Sequence, residues 1–96
     1  MQPQPANLCE KTNRYRVMLE SALEDIDISI GENSYLAGVA DDYLNMARSY
    51  FKDGVHFVKN EDLVNALVCF SYGHAWLDAG VRLGVFAVSK DKLFAI

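Results

Sequence analysis

Three glycines, Gly54, Gly73 and Gly80, lie inside stretches that otherwise keep an unbroken helical period. A glycine within a helix costs about 1 kcal/mol relative to alanine, so each needs a compensating contact. Folding the chain back on itself about Asn60 supplies one. Gly54 then falls opposite Ala66, Ala47 opposite Gly73, and Ala40 opposite Gly80. Between these layers Phe57 faces Leu63, Tyr50 faces Phe70, and Tyr43 faces Leu77. Small residues meet every seven positions and let two backbones approach closely, while large residues fill the space between the layers. The pattern predicts an antiparallel helical hairpin, and it makes a use of these glycines as hinges or ligand approaches the weaker reading.

The rest of the chain fits around that hairpin. Tyr15, Met18, Leu19, Ala22, Leu23, Ile26 and Ile30 recur at three and four positions, a helical period. Asn7 followed by Glu10 resembles a capping box, and Gly31 offers a C-terminal cap. The first helix is therefore expected over about 8–30. Ser34 or Asn33 can cap a second helix over 35–58, and Asn60 a third over 61–88. No sustained alternation suggests a strand. The fold class expected is all-α, a three-helix antiparallel bundle. Residues 1–6, with two prolines and little to bury, read as a flexible N-terminal tail, and 7–96 as a single domain. The third helix is apolar nearly all round, with Leu67, His74, Val81 and Val88 on one flank and Cys69, Trp76 and Leu83 on another. Such a helix is central in its bundle or meets another subunit.

Composition narrows the function classes. Hydrophobic residues make up 51% and charged residues 23% of the 96 residues, a globular balance. The net charge is −4 and no Lys/Arg cluster exists, so nucleic acid is not expected as a ligand. His74, Asp78 and Arg82 interrupt the most apolar run, which argues against a membrane span. No signal peptide is evident at the N-terminus. Cys9 and Cys69 are far apart without a CxxC pair, as in a reduced, intracellular protein with free thiols.

Few residues suggest chemistry. His74 and Asp78 are four apart and share a helical face, with Asp42 level with Asp78 across the hairpin. A small metal- or ligand-binding protein using His74, Asp78 and Asp42 is thus one reading. The other, favoured here, is a buried histidine satisfied by Asp78. Cys69 has no basic neighbour and reads as core. His56 and the carboxylates Glu20, Glu24, Asp25, Asp27, Asp41 and Asp42 read as solvated surface. No catalytic residue, metal site or cofactor is expected, so an enzyme is not. Tyr72, Trp76, Leu83 and Phe94 are the candidates for facing a protein partner.

Two resemblances bear on this. Tyr50, Gly54, Phe57, Ala66, Phe70 and Gly73 fall at the spacing of one tetratricopeptide unit, yet one unit does not make an array. The run 34–86 resembles an archaeal family called domain of unknown function 357. The elements that carry it are Tyr50-Phe51, the break around Asn60, Ala66-Leu67, and Gly73-His74-Ala75-Trp76-Leu77-Asp78-Ala79-Gly80. The resemblance implies a small three-helix bundle of unassigned activity from an archaeal, cytoplasmic source, with no catalytic residues to carry over. The function expected is that of a non-catalytic helical interaction module. It would bind a partner helix, or itself as a homodimer, along the third helix.

Overall fold

A computed structural model describes residues 6–89, and the remaining ends, including Leu93, Phe94, Ile96 and most of the expected N-terminal tail, lie outside it. The fold is all-α in its framework: α1 (Leu8–Asp25), α2 (Tyr35–Lys59) and α3 (Leu63–Leu83), with two short strands, β1 (Asp27–Ile28) and β2 (Phe86–Ala87). Helix α3 is central. It packs on both α1 and α2, which touch one another much less. Helices α1 and α3 run in parallel, since Thr12 Oγ1 lies 3.5 Å from the Leu63 carbonyl at one end and Asp25 meets Ser89 at the other. Helix α2 runs antiparallel to both.

The helix starts follow local chemistry. Asn7 Oδ1 accepts from the Glu10 amide at 3.0 Å and caps α1. The Glu10 side chain binds Arg14 Nε at 3.0 Å rather than returning to the cap. Ser34 Oγ accepts from the Ala37 amide at 3.1 Å and caps α2. At α3 the expectation fails. Asp62, not Asn60, is the cap, with Oδ1 accepting from the Asn65 amide at 3.2 Å. Asn60 instead closes α2. Glu61 between them has φ 60°, a left-handed conformation that separates the helices and delays α3 to Leu63.

Two helix ends come earlier than the periodicity predicts, and no strand was expected. Helix α1 stops at Asp25 because Ile26 is extended. The β-branched Ile26 and Ile28 favour that state, and β2 gives it hydrogen-bonding partners. Asp27 pairs with Ala87 and Ile28 with Phe86, antiparallel, and the Ser29 amide donates to the Val85 carbonyl at 2.9 Å. Helix α3 ends at Gly84, whose φ of 88° suits glycine. The Val85 amide donates to the Gly80 carbonyl at 3.0 Å and the Gly84 amide to Val81 at 3.1 Å, the Schellman pattern. The chain reverses there, and Val85 and Phe86 turn into the core.

The predicted small layers form. Ala40, Ala47 and Gly54 are the buried residues of α2, and Ala66, Gly73 and Gly80 are all buried on α3. A Cβ on Gly73 would sit 3.2 Å from the Ala47 carbonyl oxygen and 2.8 Å from Leu19 Cδ2, so this glycine does mark close helix contact. The other two have different reasons. Gly54 leaves room for the Phe70 ring, and Gly80 for the Phe86 ring. The large layers are also shifted. Phe51, not Tyr50, meets Phe70, with ring centroids 5.9 Å apart. Tyr50 lies by Tyr72 at 5.8 Å, and Tyr43 by Trp76 at 5.1 Å. Side chains lean toward the N-terminus of their own helix. In an antiparallel pair facing rings therefore lean in opposite directions, and they meet one or two residues away from their backbone level.

Candidate functional site

The buried arc of α3 is occupied by α1, α2 and the returning segment 85–86. Among the described residues nothing covers the opposite arc. Along it lie Val64, Val68, Ser71, Tyr72, Ala75 and Leu83, with Val64 61%, Val68 44%, Tyr72 58% and Leu83 49% exposed. Leu67, Val68, Ser71, Tyr72 and Ala75 outline a shallow, largely apolar depression. Ser71 and Ala75 are its small lining residues. Isolated exposed apolar residues are ordinary, but a contiguous apolar strip on a central helix is the usual mark of a docking surface.

The predicted partner-facing residues divide. Tyr72 and Leu83 lie on this open face. Trp76 is half-buried, with its ring edge against Tyr43 of α2, and Phe94 lies outside the described residues. Val64 and Val68 are additions that the sequence reading did not single out. A helical projection signals them, because both sit diametrically opposite the buried Ala66 and Gly73.

The chemistry-bearing residues do not form a second site. His74 Nδ1 lies 3.2 Å from Asp78 Oδ2, with both side chains largely shielded. Asp42 does not join them. It lies on the exposed side of α2, turned away from the Ala47 face. Among the described residues no three His, Cys, Asp or Glu side chains are grouped to hold a metal ion. Asp53 and His56 are exposed, and His56 Nε2 lies 3.0 Å from the side-chain Nδ2 of Asn60. Cys9 is an exposed free thiol and Cys69 a buried one. Burial, and then the charges of Asp53 and Asp62, push the Cys69 thiol above its usual pKa. That disfavours the nucleophilic thiolate. Of the expected acidic surface, Asp25 is structural. Its carboxylate accepts from the Ser89 amide at 2.9 Å and binds the Ser89 hydroxyl. Among the described residues no helix is long and apolar enough to cross a membrane.

The fold has a solved counterpart. A crystal structure of protein AF1782 from Archaeoglobus fulgidus, a member of the DUF357 family, superposes with a TM-score of 0.69 at 21% identity. The match covers 85% of this chain and 93% of that one. At that identity the likeness speaks for the fold. No curated protein matches the chain. Residues 14–86, from the middle of α1 to the first residue of β2, match the family described as protein of unknown function (DUF357), and the chain belongs to that family.

Proposed function

We propose that the protein is a non-catalytic interaction module that binds a helix along the open face of α3. The observation that carries this reading is the exposed strip Val64, Val68, Tyr72 and Leu83 on the central helix. It has the i, i+4, i+8 spacing that an amphipathic partner helix matches, and small residues leave a depression for the partner's anchors. A helix already packed on two sides is held rigid, so binding costs little ordering. The shielded His74–Asp78 pair and the raised Cys69 pKa support a structural rather than catalytic use of these groups. A cytoplasmic location is part of the reading, supported by two free thiols.

Site-specific photocrosslinking in the native host tests it. A benzoylphenylalanine at position 75, in the middle of the strip, is expected to form a protein adduct. The same probe at Glu20, on the exposed side of α1, is not. Val68→Glu should abolish the adduct. No adduct at position 75, or equal adducts at both positions, refutes the reading.

A further inference from the structure

We infer that the helix received by this face is α3 of a second copy of the chain, packed antiparallel about a two-fold axis passing between Gly73 and His74. The inference rests on the interaction reading above and names its partner. Three observations carry it. The first is size complementarity. Antiparallel order about that axis sets Tyr72 of one copy over Ala75 of the other, and Val68 over Ala79. Val68 and Tyr72 thus each come level with a small residue, Val64 comes level with Leu83 as an apolar pair at either end of the contact, and Leu67, Val68, Ser71, Tyr72 and Ala75 outline the depression between them. A two-fold contact satisfies every such pairing twice.

The second is charge. The chain carries a net −4, so most approaches between copies are repulsive. Between Val64 and Leu83 no carboxylate of α3 is exposed, Asp78 being largely shielded beside His74, and the one exposed charged residue is Arg82 near the end. Antiparallel packing sets the two Arg82 residues at opposite ends, roughly 25 Å apart at 1.5 Å per residue. A parallel pair would bring them together. The third is area. Two such helix faces bury on the order of 1,000 Å² in total, the lower range of specific interfaces. The dimer is therefore expected to form at micromolar rather than nanomolar concentration.

The test uses the full chain. Sedimentation velocity at 100 µM should give a dimer mass that falls toward the monomer on dilution by two orders of magnitude. Ala75→Glu is expected to be monomeric at 100 µM with the same circular dichroism, since the position is exposed and glutamate suits a helix. Orientation is read by a short bismaleimide in a Cys9→Ser background, which leaves Cys69 buried. Ala75→Cys should crosslink to itself, because its two copies lie close to the axis. Val64→Cys should not, because antiparallel order places its copies roughly 28 Å apart. A monomer at 100 µM, a dimer that survives Ala75→Glu, or self-crosslinking at Val64→Cys would each overturn the inference. The photocrosslinked adduct at position 75 separates the two conclusions. An adduct of twice the chain's mass supports both. An adduct with a different protein alone removes the self-pairing and leaves the interaction module standing.

Discussion

Replacing Gly80 by alanine should destabilise the protein, although alanine is the better helix former. Gly80 lies inside α3, and the Phe86 ring occupies the place its Cβ would take. Phe86 is held there from two sides. The Schellman turn directs the chain inward, and β2 pairs with β1. The ring is only 4% exposed, so it cannot step aside without leaving its seat. Displacing a buried phenylalanine forfeits about 1.5–3 kcal/mol of apolar burial. The helix gains about 1 kcal/mol from alanine. The net expectation is a loss of about 0.5–2 kcal/mol, which lowers the melting temperature by about 4–8 °C per kcal/mol in a domain of this size. The assay is urea unfolding followed by circular dichroism, with the slope checked for a two-state transition. The decisive measurement repeats the substitution in a Phe86→Ala background. With the ring gone the added methyl has room, and Gly80→Ala should then stabilise by about 1 kcal/mol. The sign of one substitution reverses with the state of the other. If Gly80→Ala raises stability in the otherwise natural chain, Phe86 is not seated on Gly80 and the folded-back end is wrong.

Gly73→Leu should cost about 3 kcal/mol, because even its first carbon would press on the Ala47 carbonyl and Leu19; a loss below 1 kcal/mol in urea would refute the close contact. Asp62→Ala should cost about 1 kcal/mol as the loss of a helix cap, and Asn60→Ala clearly less. The reverse order would restore Asn60 as the cap. Native labelling with a maleimide should add one group, at Cys9, and a rapid second addition would contradict the burial of Cys69. Because the Cys69 pKa is raised in the folded chain, its contribution is fully present below the ordinary thiol range and is lost as the pH rises through it. Stability should therefore decline above about pH 8.5, less steeply in Cys69→Ala, and equal slopes in the two proteins would remove that cause.

The hairpin and its small-residue layers were legible because a helical stripe and a seven-residue spacing are local signals. Ala47 against Gly73 needed nothing more than counting. The ring partners were not legible. Phe51 rather than Tyr50 meets Phe70 because side-chain lean moves ring contacts a residue or two off backbone level. The ends of α1 and α3 were missed for another reason. Strands of two residues carry no alternation, and Asp27–Ile28 is extended because Phe86–Ala87 returns to pair with it. That event depends on a distant segment. Gly84 was the available clue, since glycine followed by an apolar residue is how a Schellman turn reads in sequence. For the candidate surface, the apolar character of α3 on every side was visible, and with it Tyr72 and Leu83. Val64 and Val68 required knowing which arc α1 and α2 leave open.

The strand pair also orders the events of folding. Helices α2 and α3 are joined by three residues, so their closure loses little chain entropy and can come early. Residues 27 and 87 lie sixty positions apart, and only a few hydrogen bonds reward bringing them together. Such a contact gains nothing until α1 has already docked on α3 and placed the two segments side by side. It is expected to form last and to open first. While it holds, Asp25, Ser29, Val85 and Ser89 bind the C-terminal ends of the first and third helices to one another. The end of α1 cannot then fray without releasing the end of α3. Two helices with no direct connection in sequence thereby lose their last turns as one unit, and amide exchange at Ser29 and Ser89 should be faster than in the helix centres and equal at the two positions.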